Sequence, residues 1–181
     1  NTVVEFKDPM VIKEIRQNYN YPHQIMASTG KNRKEQIIDA IKLLEGTMSL
    51  TMSVQSMEET VLQNIKRDNI SIDQMMALAP AIKETGLLTR AEVILGLPGE
   101  TYQTTLETIR KLVRSEMDDI TMHTCVLFYG AEMSTPEERK KWNFKTKFRI
   151  VPRDFGTLSN GKKVCEYEEV IVGSNTLTFE E

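Results

Sequence analysis

The chain has 181 residues, 40% of them hydrophobic, with a net charge of -3; this suits one domain with a proper core and gives no basic footprint for nucleic acid. No apolar run reaches membrane-span length and no secretory leader is visible, so neither membrane nor secretion is expected. Cys125 and Cys165 stand too far apart for a secreted disulfide framework and read as reduced thiols of a cytoplasmic protein.

In chain order, Asp8 and Pro9 suit the cap and first position of a helix that runs to about Arg16, broken by Asn18 to Pro22. Gln24 to Ser28 reads as a strand, with a turn at Gly30. Asn32 caps a helix with Ile37, Ile38, Ile41 and Leu44 on one face, and Gly46 stops it. Ser49 to Gln55 is then a strand of strict alternation. Leu50, Met52 and Val54 form its apolar row; Ser49, Thr51, Ser53 and Gln55 form a wholly polar one. Ser56 and Glu59 suggest a capping box for a helix burying Met57, Val61, Leu62 and Ile65, and Ser71 and Gln74 suggest another.

Arg90 to Leu95 reads as a strand, Thr101 to Arg114 as an amphipathic helix, and Asp119 to Phe128 as a further strand. Its outer row would be Ile120, Met122, Thr124 and Val126, with Thr121, His123 and Cys125 opposite. Thr135, Pro136 and Glu138 open a short helix to about Trp142. Lys147 to Val151 and Val164 to Val172 then read as strands around the turn Asn160-Gly161. Asn1 in place of Met, and a helix that seems to open at Glu180-Glu181, lead us to expect a piece of a longer protein.

Strands alternating with helical patterns predict a parallel sheet covered by helices. A strand buried on both faces should be nearly continuous in aliphatic residues. The strand ending at Gln55 is not, so its polar row is expected to line an interior cavity. That favours α/β architecture in the form of an incomplete (βα) barrel arc over a doubly wound sheet. Residues 1–145 would form the arc and 146–181 an accessory α+β extension.

Within such an arc Gln55 would sit at the carboxyl end of its strand. Glu92 would lie inward on the next strand, where a lone carboxylate must be paired, protonated or bound to something. Carboxylates at strand ends often take ribose hydroxyls, and Arg67 could grip a carboxylate bidentately. An amide, a guanidinium and a carboxylate together suit a ligand containing a ribose and an amino acid. Plainer readings stand beside these. Arg67 could be a helix C-terminal charge, and Glu92 could pair with Lys66 or Arg90. Gly96 to Glu100 could be an ordinary strand-to-helix turn, with Glu100 favouring the helix N-terminus. His123 has no second ligand at metal spacing, Cys125 reads as a plain strand thiol, and Lys31 and Asn32 could merely cap a helix. Lys162-Lys163 reads as a solvated turn.

Ser53-Val54-Gln55-Ser56, Val61-Leu62 and Ile65-Lys66-Arg67 together resemble the fourth-strand region of radical S-adenosylmethionine (radical SAM) enzymes. Glu92 to Thr101, containing Gly96-Leu97-Pro98-Gly99-Glu100, is similar to their fifth-strand motif. Thr146 to Arg149, Pro152 to Gly156 and Glu166 to Val172 resemble the tail of the branch that often carries an upstream cobalamin-binding domain.

The resemblance implies strands three to six of a partial barrel that holds S-adenosylmethionine across its strand ends. Ser53 and Gln55 would contact the nucleoside or methionine, Arg67 the methionine carboxylate, and Glu92 the ribose. Gly96 and Pro98 would line the adenine side, while Thr51, Thr121 and His123 would face a small-molecule or macromolecular substrate. A 4Fe-4S cluster would cleave the sulfonium to a 5'-deoxyadenosyl radical that abstracts hydrogen, in an oxidoreductase or a methyltransferase. Cobalamin would belong to the parent protein.

One departure limits this. The family's cluster motif, CxxxCxxC, is missing from the chain, so the cluster ligands are expected upstream in the same protein. No catalytic residue and no metal ligand are assigned here, and the piece alone is expected to be inactive. A non-catalytic binding or scaffold module of the same fold is the alternative. A phosphate-binding barrel enzyme ranks last, because no late Gly-rich anion loop is present.

Overall fold

The computed structural model describes residues 9–28, 39–40, 42–44, 47–67, 86 and 88–180. The expected cap at Asp8, the turn at Gly30, Lys31, the helix from Asn32 with Ile37, Ile38, Ile41 and Gly46, and the Ser71–Gln74 box lie outside them.

The first elements are helix α1 (Pro9–Tyr19) and strands β1 (Ile25–Ser28) and β2 (Met48–Gln55). Helix α2 (Glu59–Asn64), strand β3 (Thr89–Leu95), helix α3 (Tyr102–Arg114) and strand β4 (Asp119–Thr124) follow. A 3-10 turn at Glu132–Ser134, helix α4 (Pro136–Trp142) and strands β5 (Lys145–Thr157) and β6 (Lys163–Gly173) complete the order. Strands β1 to β4 form a sheet in sequence order. β1 and β2 are parallel, with Ile25 beside Met48 and Ser28 beside Thr51. The α/β expectation is met: among the described residues, α2 lies between β2 and β3 and α3 between β3 and β4.

Helix α1 continues past Arg16 to Tyr19, three residues beyond the expected end. Asn20 closes it with a left-handed backbone, its N–H donating to the Arg16 carbonyl.

Two compact units are distinguished within the chain. The first comprises Asn1–Val54, Asn69–Val93 and Ile109–Thr121. Its buried apolar side chains include Ile12, Ile25, Leu44, Met52, Val54, Ala91, Val93 and Leu112. On β2 the alternation holds as expected: Met52 and Val54 are buried while Thr51 and Ser53 are half-buried. The start of β3 is tied to Asp118, whose Oδ2 accepts from both the N–H and the hydroxyl of Thr89 at 2.7 Å.

The second unit comprises Gln55–Asp68, Ile94–Thr108 and Met122–Glu181. Val61, Leu97, Cys125, Leu127 and Ile171 form its buried cluster, with Ile65, Ile94, Met133 and Phe144 packed against it. Each such aliphatic side chain contributes about 1.5–3 kcal/mol on burial. Of the α2 residues expected to be buried, Val61 is fully so, whereas Met57, Leu62 and Ile65 are half-buried.

The strand expected to reach Phe128 ends at Thr124. Beyond it the hydrogen bonding moves to β6. Ile171 N–H donates to the Cys125 carbonyl, Leu127 N–H to Glu169, and Val126 bridges Val170. The expected rows are therefore altered: Met122 is exposed, whereas Cys125 and Leu127 are buried. α4 begins as expected, with the Thr135 hydroxyl accepting from the Glu138 N–H and Pro136 in first position. β5 and β6 form an antiparallel hairpin, longer than expected at both ends, with a register shift between Ile150 and Phe155. Ser174 to Glu180 are irregular with bends, and the helix expected to open at Glu180-Glu181 reaches beyond the described residues.

Candidate functional site

The first unit holds Thr51 and Ser53 on β2, Glu92 on β3 and Thr121 on β4, all half-buried. Ser53 and Glu92 are brought together: the serine hydroxyl donates to Glu92 Oε2 at 2.8 Å. The ion pairs weighed for Glu92 are made elsewhere. Arg90 Nε meets Asp119 at 2.6 Å, and Lys66 Nζ meets Glu132 at 2.5 Å.

In the second unit, Gln55 has φ of 62°. This left-handed conformation is uncommon for a side-chain-bearing residue and turns the chain out of the strand. Gln55 is half-buried, as Thr51 and Ser53 are, so the alternation of burial runs to the last residue of β2. The expected Ser56–Glu59 capping box is absent. Ser56 is buried and its hydroxyl accepts from the Glu58 N–H at 3.2 Å, a local turn that places the cap at Glu58. Met57 N–H instead finds the Thr108 hydroxyl at 3.1 Å.

The end of α2 places Arg67. Lys66 takes φ of 54°, its N–H donating to the Gln63 carbonyl, while Arg67 N–H donates to Leu62. These two bonds make a Schellman closure with lysine where glycine is usual. Arg67 is thus the residue just past the helix, half-buried, with its backbone pinned.

Gly96 to Glu100 is more than an ordinary turn. Gly96 N–H and Leu97 N–H donate to Glu100 Oε2 at 2.6 and 3.2 Å. Glu100 is fully buried. Burial pushes its carboxyl above the usual range, against the two N–H groups and the Thr105 hydroxyl, which pull it down. Glu100 therefore does not serve the α3 N-terminus as expected. There Thr101 and Thr104 cap each other reciprocally. On the outside of the turn, the Asn64 amide donates to the Pro98 carbonyl at 3.0 Å. The Thr176 hydroxyl donates to the Glu100 carbonyl at 2.6 Å. Gly96 and Pro98 are buried.

His123 is exposed on β4. Among the described residues no group of three His, Cys, Asp or Glu side chains could hold a metal ion. Burial pushes the Cys125 thiol up to about 12, with Glu100 adding to it, so the thiol is not a nucleophile near neutral pH. Cys165 is free and exposed.

Sequence reasoning missed a groove of about 940 Å³ lined by Phe128, Tyr129, Phe148, Tyr167, Arg139 and Glu169. The Arg139 guanidinium grips the Glu169 carboxylate bidentately, both bonds 2.6 Å, and holds that carboxyl down at about 2.

No family model matches the chain. It is 29% identical over 142 residues to the cobalamin-dependent radical SAM methyltransferase TokK of Streptomyces tokunonensis, covering 75% of this chain and 20% of that protein. It is 28% identical over 132 residues to the 2-(S-pantetheinyl)-carbapenam-3-carboxylate methyltransferase of Streptantibioticus cattleyicolor, covering 69% of this chain and 19% of that protein. The chain thus spans about a fifth of the length of these curated relatives. Among solved structures, the fold is similar to TsrM, a radical S-adenosylmethionine methyltransferase of Kitasatospora setae solved with tryptophan and a SAM analogue. The TM-score is 0.57 at 13% identity, over 90% of this chain and 36% of that one. It is also similar to HemN, the coproporphyrinogen III oxidase of Escherichia coli and a radical SAM enzyme, with TM-score 0.54 at 18% identity over 72% and 33% of the two chains.

Proposed function

We propose, for a chain related to the radical SAM superfamily and to its cobalamin-dependent branch, that it binds S-adenosylmethionine as part of a methyltransferase. The observation that carries this reading is the similarity to TokK over three quarters of the chain. The second relative is a methyltransferase too, which favours methyl transfer over the oxidoreductase chemistry also expected from the sequence. The sheet order β1-β2-β3-β4, with no reversal, supports an arc of a (βα) barrel, since successive barrel strands are neighbours.

Within each unit taken by itself, the residue types present suit parts of S-adenosylmethionine. Glu92, already holding one serine donor, would accept the ribose hydroxyls, and Ser53 would keep that carboxylate oriented. Arg67, its backbone pinned past α2, would bind the methionine carboxylate, and Gln55 would contact the nucleoside or methionine part. Gly96 and Pro98, in a turn whose inner N–H groups are already occupied by Glu100, would offer a firm backbone and apolar wall to the adenine. Thr51, Thr121 and His123 would face the substrate. When bound, S-adenosylmethionine supplies an activated methyl group, and reductive cleavage of its sulfonium supplies hydrogen-abstracting power.

The residues present do not fit an iron-sulfur cluster: Cys125 is buried and Cys165 is the sequence's other cysteine. We therefore derive no step through the cluster or through cobalamin, which the reading assigns to the rest of a longer protein, as in TsrM with cobalamin and [4Fe-4S] bound.

Calorimetric titration tests this reading. S-adenosylmethionine should bind the chain, and Arg67→Ala should weaken it at least about tenfold, the worth of a charged hydrogen-bonded contact. Equal affinity of the variant, or no binding by the parent chain, would contradict it.

A further inference from the structure

The end of α2 and the Gly96–Glu100 turn are separated in sequence yet meet at one side chain. Asn64 is the last residue of α2 and is itself exposed. Its amide Nδ2 donates to the Pro98 carbonyl at 3.0 Å. Gly99 follows with φ of 81°, and a Cβ built there would lie 2.5 Å from the same Nδ2. Glycine is thus required at 99 twice over, for its backbone angle and to make room for this amide. From Asn64 the chain goes through Ile65, packed on the buried cluster, and left-handed Lys66 to Arg67, whose N–H is bonded back to Leu62. Few backbone freedoms remain between the amide and the arginine.

We propose that Asn64 is a positioning residue: its bond to Pro98 sets where Arg67 stands relative to the Gly96–Glu100 turn. This rests on the reading that Arg67 binds the carboxylate of S-adenosylmethionine. A guanidinium on a flexible stem grips a carboxylate bidentately only when its root is held. Asn64 holds that root without touching the ligand. A hydrophobic residue in its place would leave the Pro98 carbonyl without this donor and let the end of α2 drift from the turn. Aspartate would set an oxygen against that carbonyl.

A double-mutant cycle in the intact chain separates positioning from mere stability. Asn64→Ala should weaken S-adenosylmethionine binding by roughly fivefold to tenfold, as loss of one hydrogen bond allows. In an Arg67→Ala background the same substitution should cost less than about twofold, because the group it positions is gone. Asn64→Asp, of equal shape, should reproduce the Ala result. Amide hydrogen exchange supplies a readout that needs no ligand: exchange at Lys66 and Arg67 should quicken in both variants while that of β3 stays unchanged. Full affinity in Asn64→Ala, equal losses in the two backgrounds, or unchanged exchange at Arg67 would each overturn the proposal. Quickened exchange in variants of a chain that never bound S-adenosylmethionine would sink the binding reading and leave the mechanical coupling standing.

Discussion

Two glutamates flank the end of β3, and the chain treats them in opposite ways. Glu92 is half-buried and takes one hydrogen bond from Ser53. Glu100 is fully buried and spends one oxygen on the Gly96 and Leu97 amides. A carboxylate within reach of solvent can exchange water for a ligand. A carboxyl closed over its own turn cannot, and its hydrogen bonds serve the fold. The contrast teaches that a motif's acidic residues are assigned by what surrounds them: Glu100 builds the wall of its own turn, while Glu92 stands half-buried beside Ser53.

Replacing Glu100 is the severest way to sharpen that contrast. Glu100→Ala should destabilise the protein by about 2–4 kcal/mol in urea unfolding, because two buried N–H groups lose their acceptor and a void is left. Glu92→Gln should leave stability within about 0.5 kcal/mol. A Glu100→Ala variant as stable as the parent would erase the distinction.

Gly99→Ala should cost about 1–3 kcal/mol, from the left-handed backbone and the encroachment on Asn64. Its unfolding midpoint reads this directly, and an unchanged midpoint would contradict the tight turn.

The pH dependence divides the carboxyls again. Glu169 is held at about 2 by Arg139, so its contribution is fully present above the ordinary carboxylate range and is lost as pH falls toward 2. Glu100 is shifted the other way. The folded state keeps its proton longer than the unfolded chain does, so Glu100 lowers stability as pH rises above the ordinary carboxylate range. Urea unfolding across pH should show the acid-side loss vanish in Glu169→Gln and the rise-dependent loss vanish in Glu100→Gln. Profiles identical to the parent's would refute both assignments. The smallest effect is expected from Ser53→Ala: a roughly threefold loss of S-adenosylmethionine affinity by calorimetry, since Glu92 loses one neutral donor.

Much of the scaffold was legible because local rules and burial agree. The polar row Thr51 and Ser53, the cap at Thr135 and the turn at Gly161 follow from periodicity and turn chemistry alone. The misreadings share another cause. From the Cys125 carbonyl to Leu127 the hydrogen bonds go to β6, and no local pattern announces a partner that lies far along the chain. The Ser56–Glu59 spacing satisfied a capping box, yet the Ser56 hydroxyl was taken by the nearer Glu58 N–H. Of the candidate site, the residue types were legible and the bonds were not: Ser53 with Glu92, Glu100 with its own turn, and Asn64 with Pro98 are all tertiary facts.

One paired measurement bears most directly on the account: titration of S-adenosylmethionine into the parent chain and into Glu92→Gln, each with its urea unfolding curve. We predict that Glu92→Gln keeps the parent's stability and loses about tenfold in affinity, the weight of a charge-assisted contact to the ribose. Parent-like affinity in a fully folded Glu92→Gln would contradict the proposal that this carboxylate meets the ribose.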